Sequence, residues 1–144
     1  MSYKKNICDL PDKNYIAKKN VSKHEVTIQR LAHLYVNVPE VYHYDEAKMI
    51  MVMRRIPKLC LADEYGENYD DLPNNIKTLL YELMSSLFYN NFIYNDFTGY
   101  NFIYYQNQLW IIDFEHCKYD TDNQESFMKD FVEGNVTGWN PEFI

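Results

Sequence analysis

Glycine is scarce: the chain has 144 residues and four glycines, Gly66, Gly99, Gly134 and Gly138. None precedes Gly66, so no glycine-rich phosphate loop lies in the first 65 residues. Cysteine is also sparse and odd in number. Cys8, Cys60 and Cys117 form no Cys-x-x-Cys pair, so neither a zinc site nor a disulfide framework is expected. A reducing intracellular compartment, cytoplasmic or nuclear, is the expectation. Positive charge is in deficit: 14 Lys and Arg stand against 21 Asp and Glu, a net charge of −7. Such a chain gains little from counterion release, so nucleic acid is not an expected partner. The lysines Lys4, Lys5, Lys13, Lys18, Lys19 and Lys23 read as a solvated surface. No apolar run approaches the roughly 20 residues that span a bilayer, and none follows the Met-Ser-Tyr-Lys-Lys start as a signal peptide would require. No membrane association is expected.

Apolar residues make up 47% of the chain and charged residues 24%, a globular balance rather than a disordered one. The length suits one domain over residues 1–144, able to bury roughly two-thirds of its unfolded surface. Residues 1–13 read as irregular, with Asp9-Leu10-Pro11-Asp12 as a turn, and Asn14 to Lys19 as a short strand. Ser22-Lys23-His24-Glu25 fits a capping box, and the stripe Val26, Leu31 and Leu34, with Ile28 and Ala32 beside it, extends that helix to about Tyr35. Val38-Pro39 stops it. Val41 to Tyr44 and Met49 to Met53 read as strands joined by Asp45-Glu46-Ala47-Lys48. Residues 57–72 read as loop or a short helix. Ile76, Leu79, Leu80, Leu83, Met84, Leu87 and Phe88 mark a long amphipathic helix. Phe92 to Tyr94, Asn101 to Tyr105 and Leu109 to Ile112 are short apolar segments, the last two a hairpin. Ser126 to Glu133 reads as a last helix ended by Gly134. The fold class is α+β.

The polar loop after the long helix reads Tyr94-Asn95-Asp96-Phe97-Thr98-Gly99-Tyr100-Asn101, and the apolar strand beyond it runs into Asp113-Phe114-Glu115. Asp96 and Asn101 are five residues apart. Taken singly, each polar residue here is an ordinary turn former or strand-end cap. Together, an Asp, an Asn five residues later and an Asp at a strand end match what phosphoryl transfer needs. A carboxylate orients the attacking hydroxyl, and oxygen ligands hold the Mg²⁺ that bridges the nucleotide phosphates.

In this arrangement the chain resembles the protein-kinase-like superfamily. The Asn95-Asp96 pair and the Asp-Phe-Glu ending, in place of Asp-Phe-Gly, resemble the choline kinase and aminoglycoside phosphotransferase branch; small size also resembles small atypical protein kinases. The resemblance covers roughly residues 14–119. It implies Asp96 as catalytic base, Asn101 and Asp113 as metal ligands, and ATP with Mg²⁺ as cofactors. Tyr94 stands where the family usually has His. Ile16-Ala17-Lys18-Lys19 resembles the family's lysine strand. Side chains two apart share a strand face, so Ala17 and Lys19 are expected to face the nucleotide, with Lys19 preferred to Lys18. Glu25 is its expected helix partner, although the capping box alone also accounts for a Glu there. Met53 to Ile56 take the place of the hinge that meets the adenine edge, and Met53 is the expected cofactor-side residue; a methionine-rich strand is also ordinary core packing.

Two departures stand out. The 18 residues before Lys19 contain no glycine, and 31 residues follow Asp113, too few for an activation segment with a substrate-binding subdomain. The implied architecture is a minimal kinase-like fold. Residues 1–56 form a small antiparallel sheet with one helix, and residues 57–144 a reduced C-lobe of long helix, catalytic loop and hairpin. The implied function is an ATP-dependent phosphotransferase acting on a hydroxyl of a protein or small alcohol. The alternative is a pseudokinase that works through a protein partner; the high Tyr and Phe content suits an interface. The segment Gly138 to Phe143 reads as an aromatic anchor, docked on its own core or on a partner. His24, His33, His43 and His116 lack metal-ligand spacing, and His116-Cys117 lacks the partners of a nucleophilic site.

Overall fold

The computed structural model describes residues 6–122 and 125–143; Lys4 and Lys5 lie outside the described residues. Four antiparallel strands, β1 (Ile7–Asp9), β2 (Tyr15–Lys18), β3 (Val41–Asp45) and β4 (Ile50–Arg54), form a sheet in the order β1-β2-β4-β3. β2 pairs Ile16 with Met53 and Lys18 with Met51. By alternation these four side chains share one face. Ile16, Met51 and Met53 bury there with Val21 and Val26. Val26 comes from helix α1 (Lys23–Ala32), which lies over this face.

Ser22 starts α1 as the hydroxyl cap, its Oγ accepting from the Glu25 amide at 3.1 Å. The α-helix stops at Ala32, and the chain turns on through Tyr35. The buried face of α1 is Glu25, Val26, Ile28, Gln29 and Ala32. Leu34, placed on the apolar stripe by periodicity, is 72% exposed. The early end of the helix takes it off the stripe, and Gln29 fills the inner position by bonding to the Pro39 carbonyl at 2.9 Å.

Beyond the sheet come α2 (Leu61–Tyr65), a short 3-10 turn and the long helix α3 (Asn74–Tyr89). Ile76, Leu80, Leu83, Met84, Leu87 and Phe88 of α3 are buried. They share one core with Ile28, Ala32 and Val38 from the sheet half and with the aromatic residues that follow. β5 (Phe92–Tyr94) pairs with β8 (Cys117–Tyr119), and between them β6 (Phe102–Tyr105) and β7 (Gln108–Ile111) form a hairpin. Gln106 and Asn107 both take positive φ, 53° and 59°, the pattern of a two-residue hairpin turn. Helix α4 (Phe127–Val132) is capped by the Ser126 hydroxyl and followed by Gly134 at φ 81°. The strands β1 and β8 have no counterpart among the expected elements; each is three residues long and, unlike β5, carries no continuous buried run. Among the described residues no helix is long and apolar enough to cross a membrane.

Candidate functional site

The sheet delivers a buried cation. Lys18 Nζ lies 2.6 Å from Glu25 Oε2 and 3.2 Å from Asp113 Oδ1, and all three residues are at most 2% exposed. This corrects the expected lysine. Lys19 lies past the end of β2 and is exposed, with its amide bonded to the Asn6 carbonyl at 2.9 Å. The strand phase is the reason: Lys18 shares the inner face with Ile16. Ala17 pairs with Cys8 and Val52 on the opposite face, so it does not share a face with the buried lysine. Glu25 meets both expectations in part. Its amide receives the Ser22 cap, while its carboxylate turns to Lys18.

The loop after β5 supplies the rest. Asn101 Nδ2 donates to the Asp96 carbonyl at 2.6 Å, its amide donates to the Thr98 carbonyl at 3.2 Å, and its carbonyl accepts from the Ile112 amide at 3.0 Å. That last bond ties Asn101 to the residue before Asp113. Asp113 Oδ1 also accepts from the Glu115 amide at 3.0 Å. Gly99 permits the close packing of this loop: a Cβ there would lie 3.2 Å from the Ala62 amide nitrogen and 3.3 Å from its Cβ. Tyr94 is fully buried, edge-on to Phe102 and Phe114 at 6.2 and 5.9 Å.

Burial disfavours charge at each of these groups, and neighbours then decide the outcome. Burial alone would lower the Lys18 pKa, but Asp113 and Glu25 together outweigh it and raise it. Burial raises Glu25, with Lys18 opposing. Burial also raises Asp96, with the negative Asp113 adding to it and the Asn101 hydrogen bond opposing. Cys117 is buried and its thiol is pushed up to about 12, which leaves it a poor nucleophile at neutral pH. Two histidines serve structure: His24 Nε2 lies 3.1 Å from the Cys117 carbonyl and His33 Nδ1 lies 3.2 Å from that of Val38.

Met53 is fully buried against Ile16, its Sδ 3.5 Å from Gln29 Nε2. Its side chain therefore belongs to the core, which leaves only its backbone to meet a cofactor as the hinge expectation requires. Past it, the Arg54 and Arg55 amides donate to the Glu40 and Asn14 carbonyls at 2.9 and 2.8 Å. A cavity of about 660 Å³ lies at this crossing, lined by Tyr15, Tyr42, Arg54, Ile56, Tyr105 and Trp110 among others. None of Lys18, Glu25, Asp96, Asn101 and Asp113 lines it. Among the described residues, a buried cation, carboxylates and further oxygen donors converge in the charge cluster beside this open groove.

Among the described residues no cluster of three His, Cys, Asp or Glu side chains could form a metal cage. An amide and a carboxylate, Asn101 and Asp113, are instead a sparse hard-oxygen set. That set fits Mg²⁺, which takes one or two protein ligands and completes its shell with phosphates and water.

Sequence reasoning ranked Lys18 behind Lys19 and missed Asn140. Asn140 is 3% exposed and donates through Nδ2 to the Asn95 carbonyl at 2.8 Å and through its amide to that of Phe97 at 2.9 Å. No local pattern marks it; the aromatic neighbour Trp139 was the available signal.

A small antiparallel sheet with one helix, a long helix and a loop-plus-hairpin holding Asp, Asn and Asp define a kinase-like fold. The family model of the RIO domain matches residues 3–134, and the chain belongs to that family. Among solved structures, the Cydia pomonella granulovirus kinase PK-1 is similar in fold, with a TM-score of 0.58 and 16% identity. The match covers 78% of this chain and 47% of that one, so the chain spans about half the length of that kinase. Comparison with curated proteins returns no match.

Proposed function

We propose that the protein is an ATP- and Mg²⁺-dependent phosphotransferase with a hydroxyl acceptor. The observation that carries this reading is the buried Lys18, shared between Glu25 and Asp113 at 2.6 and 3.2 Å. A cation held at such cost of desolvation has a use, and phosphate contact is the use this fold offers. Bound ATP would supply the transferable phosphoryl group, and Mg²⁺ would neutralise its charge. Glu25 fixes the lysine. Asn101 and Asp113 are the residues to hold the metal. Asp96 orients the acceptor hydroxyl and takes its proton, a role helped by burial and the negative Asp113, which raise its pKa above the ordinary carboxylate value.

The test is thermal unfolding with millimolar ATP and Mg²⁺. A rise in Tm that Asp113→Ala removes is expected, with Asp96→Asn keeping the rise but losing phosphate release. No rise in the wild type sinks the reading. One observation favours a pseudokinase instead: no glycine precedes Gly66, so no glycine-rich loop stands before the lysine strand to cover the phosphates. In that case a partner protein co-purifies and stays bound when Asp96, Asn101 and Asp113 are replaced together.

A further inference from the structure

We propose that Asn140 is a positioning residue that sets the backbone of the loop carrying Asp96; the inference rests on the phosphotransferase reading and deepens it. Three successive carbonyls, those of Asn95, Asp96 and Phe97, each accept from an asparagine. Asn140 Nδ2 takes the first at 2.8 Å, Asn101 Nδ2 the second at 2.6 Å and the Asn140 amide the third at 2.9 Å. Asn140 thus grips the peptide groups on both sides of Asp96, while Asn101 grips that of Asp96 itself. Its remaining oxygen, Oδ1, accepts from the Glu142 amide at 3.1 Å, which fixes the amide plane of the side chain.

The chain reaches this place by design of its neighbours. Gly138 at φ 118° turns the segment inward. Trp139, 7% exposed, stacks parallel on Phe102 at 6.1 Å and meets Phe97 and Tyr69 edge-on at 5.2 and 5.3 Å. Phe97 and Phe102 flank the loop, so the indole anchors the asparagine on the very residues it orders. The aromatic anchor of residues 138–143 docks on its own core, and its polar member acts on the loop. Buried bonds to three adjacent carbonyls leave the backbone around Asp96 few alternatives, which matters because a base displaced by about 1 Å can lose roughly a hundredfold in rate.

Asn140→Asp keeps the shape, the main-chain bond and the Oδ1 acceptor but removes the Nδ2 donor; Asn140→Ala removes the side-chain bonds altogether. Both are expected to lower kcat for Mg²⁺-dependent phosphate release from ATP by at least about tenfold, with KM for ATP within about twofold. Amide hydrogen exchange at Asn101 and Ile112 is expected to speed up in both, with α3 unchanged. Phe88→Leu, in the same core but with its ring edge-on to Tyr89 rather than to the loop, is the control: it should lower Tm and leave kcat unchanged. If the asparagine variants behave like that control, the role is merely structural and the proposal fails. If the wild type releases no phosphate, the phosphotransferase reading falls by itself. Exchange then decides the positioning role: unchanged rates at Asn101 overturn it, and faster rates sustain it.

Discussion

Lys18 carries its charge at 2% exposure between two carboxylates, and that burial sets what its replacement costs. Lys18→Met leaves Glu25 and Asp113 buried without their cation, and should cost about 3–5 kcal/mol in urea unfolding. Lys19→Met, on the exposed side, should stay within about 0.5 kcal/mol. The folded pKa of Lys18 lies above its ordinary 10.5, so the stability that its protonation contributes is fully present below that pH as long as its carboxylate partners are ionised. It is lost as pH rises through the higher folded value, and Lys18→Met should remove this alkaline dependence. At this scale the sequence singled out Asp96, Asn101 and Asp113, because phosphoryl transfer calls for those residue types within one short stretch, and all three are buried in the structure. The choice between adjacent lysines depended on the phase and the end of β2, which alternation alone does not set. Asn140 acts across 45 residues through a backbone carbonyl, and such a bond leaves no trace in local spacing.

The helices and strands were legible in proportion to their length. The 16 residues of α3 present four turns of one apolar face, whereas the three-residue β1 and β8 exist only through the partners they meet. Helix α1 lies between these cases. Its start was marked by Ser22, but its inner face mixes apolar residues with Glu25 and Gln29, which periodicity counts as surface. Ser22→Ala removes the cap on the Glu25 amide and should cost about 1 kcal/mol by thermal unfolding. Because the capped residue is also the partner of Lys18, the same variant should weaken the ATP-dependent rise in Tm; an unchanged rise would show that the carboxylate is held by its ion pair alone.

The whole molecule is held by a core that crosses between its two halves. Ile28, Ala32 and Val38 pack with the α3 residues and with the aromatic side chains around the loop. The two halves should therefore unfold together, with coincident Trp fluorescence and far-UV circular dichroism transitions. Two separated transitions would mean that the sheet half stands alone. The β5–β8 ladder adds a consequence in terms of chain topology. By joining Phe92–Tyr94 to Cys117–Tyr119, it closes residues 95–116 into a handle, and Asp96, Asn101 and Asp113 all ride on it. The contact that brings in Lys18 spans 95 residues, against five for Asn101 and Asp96. The entropy of chain closure thus falls unequally on the two sides of the site. The carboxylates belong to a short, self-closed circuit, and the cation arrives from a distant strand. A local opening of β2 withdraws the cation and leaves Asp96 and Asp113 still gathered on their handle.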